Sequence, residues 1–112
     1  MTAADLPAQF RPIIEQVVDR IAAGDFDGLA RDHAQPDSDV GLWAREYPAT
    51  FIPLPPEAWR HVHTFFLADH DAWKVDVALW SLEEGRSDMT LQVTVWEEAG
   101  AIKLTIDDLH VL

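Results

Sequence analysis

His61-Val62-His63 sets two imidazoles two residues apart. On a strand such residues share a face, so both rings could ligate one metal ion. His70, between Asp69 and Asp71, would then supply a third ligand from the next loop. On a helix the two rings diverge by about 200° and the idea fails; without a metal they are two surface histidines of an edge strand. Three Asp-x-Asp pairs, Asp25/Asp27, Asp37/Asp39 and Asp69/Asp71, resemble fragments of calcium loops. None runs on to the closing glutamate of such a loop, and the commoner use of these pairs is helix capping and Asx-turns. Asp76 or Asp107 with His110 could form an acid–base pair if covered, because burial near Trp80 suits a carboxyl to general-base work. Left open, the same residues are a solvated polar face.

Other chemistries are excluded more firmly. The chain has no cysteine, hence no thiolate nucleophile, disulfide framework or thiolate zinc site. Ser38, Ser81 and Ser87 lie in no Gly-x-Ser-x-Gly context, and the five glycines form no phosphate-binding loop. No cofactor is expected.

The elements that must position these residues divide at mid-chain. Phe10, Ile13, Ile14, Val17, Val18 and Ile21 recur at helical spacing, with Pro12 near the start and Gly24 as the stop. Asp25 caps a short helical turn through Leu29, and Ser38 or Asp39 caps another through Trp43 that Pro48 ends. Residues 50–54 read as a short extended piece. Pro56-Glu57-Ala58-Trp59 starts a helical turn, and a strand is predicted from Val62.

From Trp73 the pattern has period two. Trp73, Val75, Val77 and Leu79 form one apolar row; Met89, Leu91, Val93 and Val95 a second; Ile102, Leu104 and Ile106 a third. Turns are expected at 83–87 and 98–100. The class is therefore α+β: an N-terminal helix packed on an antiparallel β-meander of three to four strands, in one domain spanning 1–112.

Register then specifies the second face. A two-residue Ala99-Gly100 turn sets Trp96 opposite Lys103, Thr94 opposite Thr105 and Gln92 opposite Asp107. A loop over 83–87 sets Lys74 opposite Trp96 and Asp76 opposite Thr94. The expected ligand or partner face is thus Lys74, Asp76, Trp80, Gln92, Thr94, Trp96, Lys103, Thr105 and Asp107. The chain's only two lysines would flank Trp96 on it.

Composition bounds the partners. The 112 residues carry 20 acids against 8 lysines and arginines, a formal charge of −12, with 48% hydrophobic residues. That apolar share is enough for a core. Counterion release on nucleic acid needs clustered basic residues, so none is expected as a partner. No leader and no spanning apolar run are visible, and a cytoplasmic protein without a membrane partner is expected. The excess is spread over both halves: nine acids and four bases in 1–49, eleven and four in 50–112.

The segment Leu79-Trp80-Ser81-Leu82-Glu83-Glu84-Gly85-Arg86-Ser87-Asp88-Met89-Thr90-Leu91, with the ending Ile106-Asp107-Asp108-Leu109-His110-Val111-Leu112, resembles small bacterial proteins grouped as a domain of unknown function. That resemblance implies no activity. The order of elements, and Gly24-Asp25-Phe26-Asp27-Gly28-Leu29 after the first helix, also resembles the cystatin-like cone of the nuclear transport factor two-like superfamily. Such cones host isomerases, dehydratases, ligand binders and dimer modules, so no catalytic residue carries over. The expectation is a binding or interaction protein, with a protein partner or a second copy of itself. An immunity-type role against a basic toxin is one version. The alternative is a small-ligand protein or enzyme with a pocket on the sheet face.

Overall fold

The computed structural model describes residues 5–35 and 39–111. Asp37 and Ser38 lie outside the described residues.

A short 3-10 turn, Ala8–Phe10, leads into helix α1 (Arg11–Ala23). Pro12 sits in the first turn, where its missing N–H costs nothing. Gly24 ends the helix in the left-handed region at φ 75°, and Asp25 N–H reaches back to the Arg20 carbonyl at 2.9 Å. Helix α2 (Phe26–Asp32) is capped by Asp25, whose Oδ1 accepts from Gly28 N–H at 3.1 Å. Helix α3 (Val40–Glu46) is capped by Asp39 on Leu42 N–H at 3.0 Å. Both caps satisfy amides that a helix start leaves orphaned. Arg20 clamps α1 to α2, donating to Asp32 Oδ2 at 2.6 Å and to the Gly28 carbonyl at 3.1 Å.

Five strands follow: β1 (Phe51–Ile52), β2 (His63–Leu67), β3 (Ala72–Ser81), β4 (Gly85–Glu98) and β5 (Ala101–Val111). A 3-10 stretch, Pro56–His61, joins the first two. All pairings are antiparallel, in the order β1-β3-β4-β5, with β2 beside β1 along the same edge of β3. The α+β class and the helix-on-meander arrangement are as expected; β1 adds a fifth, two-residue strand.

The core forms where the two periodicities meet. Ile14, Val17, Val18 and Ile21 of α1 join Val75, Val77, Leu79, Leu91, Val93, Val95 and Ile106, all essentially inaccessible. Each such burial contributes about 2 kcal/mol. Val40 and Ala44 of α3 enter the same core, as do Phe51 and Trp59, over whose ring the Arg11 guanidinium stacks at 4.8 Å.

Two register shifts depart from simple alternation. Ala78 opposes Thr90 but Trp80 opposes Arg86, so Ser87, Asp88 and Met89 stand against Leu79 alone. Val93 opposes Ile106 but Gln92 opposes Asp108, so Asp107 is an extra residue in β5. Such bulges bend a strand and re-aim side chains.

Candidate functional site: the open sheet face

The face turned away from the helices carries the predicted residues. Lys74 and Lys103 are exposed; Asp76, Trp80, Gln92, Thr94, Trp96, Thr105 and Asp107 are half-buried. Trp96 lies opposite Lys103 and Thr94 opposite Thr105, as the two-residue turn predicts. Ala99 and Gly100 hold φ 52° and 79° there, the signs of a type I′ turn.

On the β3 side the register differs by two residues. Lys74 opposes Thr94, and Ala72, not Lys74, opposes Trp96. Asp76 opposes Gln92 instead of Thr94. The cause is a tight turn over 82–84, closed by Gly85 at φ 72° and followed by the β4 bulge. The lysines therefore sit in neighbouring rows, and only Lys103 is level with Trp96. Phe65 and His63 of β2 extend these rows, opposite Lys74 and Asp76.

Asp107 organises the middle of the face. Thr94 Oγ1 donates to its Oδ2 at 2.6 Å, and Lys74 Nζ lies 3.7 Å from the same oxygen. The lysine side chain is 46% exposed, so the ion pair adds little beyond about 0–1 kcal/mol. Its role is to fix where the carboxylate points.

Beyond this group lies a polar cavity of about 330 Å³, bordered by His61, His63, Asp76, Arg86, Thr90, Gln92 and His110. The Arg86 guanidinium contacts His61 Nδ1, which can accept only as a neutral ring. Thr90 is 5% exposed, and its buried Oγ1 has no hydrogen-bond partner among the described residues. An unpaired buried hydroxyl costs roughly 1–3 kcal/mol, so a ligand atom or water placed there would gain a partner. A more apolar cavity of about 360 Å³ lies on the other side of His110, beside Trp43, Tyr47 and Met89.

The other sequence candidates separate. His61 and His63 flank one cavity, while His70 lies in the turn at the far end of β2. Among the described residues no group of three or more His, Asp or Glu is arranged to hold a metal ion. Asp25 and Asp39 act as helix caps. The carboxylate beside His110 is that of Asp108, its Oδ2 3.0 Å from Nδ1, and not that of Asp107. Asp76 borders the cavity with His110.

Sequence reasoning missed Asp108, Arg86 and Thr90. Asp108 had a signal: Ile106 and Leu109 are both buried, three apart, which strict alternation forbids and a bulge requires. Thr90 keeps the parity counted back from Val93, opposite Ala78 on the open face, while Arg86 lies beyond the β4 bulge, where the partner changes to Trp80.

On the core side, His33 Nδ1 lies 3.3 Å from the Leu104 carbonyl, and burial pushes its ring below the ordinary histidine range.

Among the described residues no helix is long and apolar enough to cross a membrane. No curated protein and no solved structure matches the chain. A family model described as "Domain of unknown function (DUF7668)" matches residues 16–112, from the second turn of α1 through β5, and the chain belongs to that family.

Proposed function

We propose that this chain is a non-catalytic, cytoplasmic binding protein that receives a protein partner on the open face of its sheet. The observation that supports this is the face itself. Trp96 stands beside Lys103 and Phe65 beside Lys74, with Asp107 against Lys74 and Asp76 in the next row, and the core helices lie on the other side. Aromatic residues ringed by polar and charged groups are what protein interfaces use as anchors. The chain as a whole is acidic, and a charge of −12 would steer a basic partner. An immunity-type role against a basic toxin is one version of this reading.

The test is capture from the native cell extract with the wild type and with Trp96→Ala/Lys103→Glu, followed by titration of each purified candidate. A partner that binds the wild type and loses at least about tenfold, roughly 1.4 kcal/mol, on the double variant supports the proposal. A partner that binds both equally overturns this choice of surface.

The alternative, a small-ligand protein or enzyme of the cystatin-like kind, has one observation in its favour. The cavity beside His110 offers an unpaired Thr90 hydroxyl with Arg86, Gln92 and two more histidines around it. Thermal-shift screening with small polar compounds on the wild type and Thr90→Val separates the readings. A stabilising compound that loses its effect on Thr90→Val would favour the pocket over the face.

A further inference from the structure

The two edges of the sheet are protected very differently. On β5, Ala34 pairs in parallel with Thr105 and accepts from Ile106 N–H at 2.9 Å, and the Asp107 bulge interrupts the ladder. On the other edge, β2 pairs, among the described residues, with β3 alone and keeps an unbroken register over its five residues. Proteins blunt such edges with lysine, proline, inward charges or bulges. His63–Leu67 contains none of these. It presents instead Phe65 and Phe66, 52% and 44% exposed, the second ring 5.1 Å from that of Trp73.

Charge indicates what fits this edge. In a chain of net charge −12, residues 58–68 contain no Asp or Glu and carry Arg60, His61 and His63. The turn that follows carries Asp69 and Asp71. The edge thus begins basic, is apolar in the middle and ends acidic. An antiparallel copy of the same edge reverses that order and sets each basic end against an acidic one. A −12 chain meeting itself elsewhere would bring acids together; a β5 pairing would juxtapose Asp107 and Asp108 and require Ala34 to leave.

We propose that β2 pairs antiparallel with β2 of a second copy about a twofold axis at Phe65, joining two sheets into one across a homodimer. Such an interface is isologous, with the same patch on both sides. The Phe65 rings meet as a cross-strand pair, and Arg60 and His61 come beside the partner's Asp69 and the partner's Asp71. Because the axis passes through a residue, positions of like parity oppose each other, so outward-facing backbone groups meet outward-facing groups. Phe65 also lies on the open face, so that face would continue from one protomer into the next.

The test uses the full chain. Sedimentation velocity across a wide concentration range should show a species of about 25 kDa, twice the 12.6 kDa chain. Phe65→Lys should reduce it to the monomer with an unchanged far-ultraviolet circular dichroism spectrum. Leu82→Lys, at a 72% exposed leucine in the β3–β4 turn, should leave the dimer intact. Directly opposed strand residues lie about 4.5–5.5 Å apart at Cα, within disulfide reach. In this cysteine-free chain, Phe65→Cys should therefore form a linked dimer under mild oxidation, and Leu82→Cys should not. A wild type that stays monomeric throughout, a Phe65→Lys variant that remains dimeric, or Phe65→Cys linking no faster than Leu82→Cys overturns the proposal. If Phe65→Lys fails to fold, the cross-linking comparison decides.

Discussion

The Thr94 hydroxyl donates a 2.6 Å hydrogen bond to Oδ2 of Asp107, the residue that the β5 bulge adds to the strand. Without the bulge, Asp107 would stand opposite Gln92, one row further along. With it, a carboxylate lies between a threonine and a lysine at the middle of the open face. Thr94→Val keeps the shape of the side chain and removes the donor. Charged hydrogen bonds contribute about 1.5–3 kcal/mol, less where water competes, and Thr94 is half-buried, so a loss of about 1 kcal/mol is expected. Urea unfolding measures it. In an Asp107→Ala background the same substitution should cost almost nothing; an equal cost in both backgrounds would place the effect elsewhere.

How far the sequence discloses this face depends on how far alternation holds. From Trp96 to Val93, and from Lys103 to Ile106, one period-two count assigns every side and every partner, and the expected Trp96–Lys103 and Thr94–Thr105 pairs form. Beyond the bulges the count slips. The turn at 82–84 is shorter than expected, and Ser87 to Met89 take up only half of the difference, so Lys74 moves from Trp96 to Thr94. A β-bulge is stabilised by particular side-chain bonds, and those are invisible to a hydrophobic pattern. The acids of the turns were legible only as charge. In the structure Glu83 accepts from Thr50 N–H at 2.8 Å and Glu84 from the Tyr47 hydroxyl at 2.9 Å, so part of the −12 ties the β3–β4 turn to the chain entering β1.

Ala99 holds a left-handed backbone, φ 52°, in the two-residue turn before Gly100. An L-residue with a Cβ pays about 1 kcal/mol for that conformation, whereas asparagine tolerates it and Asn-Gly is the preferred pair in such turns. Ala99→Asn should therefore raise stability by about 0.5–1 kcal/mol. The midpoint of thermal unfolding should rise by a few degrees; an unchanged or lower midpoint would count against the strain.

His33 makes stability depend on pH. Burial lowers its proton affinity in the folded chain relative to the unfolded one, against the opposing bond to the Leu104 carbonyl. The unfolded chain therefore binds more protons between the two pKa values, and stability rises with pH in that window. The contribution is complete above the ordinary histidine value of about 6.5 and is lost as pH falls below it. His33→Asn should lose less stability than the wild type between about pH 7.5 and 5. Parallel urea titrations at both pH values check this; equal losses would remove His33 as the cause.

Ser87 secures the bulge that sets the β3–β4 register. It is buried, donates from Oγ to the Leu79 carbonyl at 2.8 Å and accepts from Met89 N–H at 3.2 Å. One hydroxyl thus satisfies a carbonyl and an amide that the interrupted ladder leaves without each other. Ser87→Ala strands both groups in a buried site, each at a cost of roughly 1–3 kcal/mol, less whatever a water recovers. A total loss of about 2–3 kcal/mol is expected from denaturant unfolding with an unchanged slope. Ser87→Thr keeps the hydroxyl and should retain most of the stability. Because the bulge also carries Arg86 toward His61, Ser87→Ala should disturb the polar cavity while leaving the Trp96–Lys103 row in place. Amide and indole shifts in a two-dimensional nuclear magnetic resonance spectrum would separate the two regions. Changes confined to Trp96, with Trp80 unmoved, would contradict the assignment of the register to Ser87.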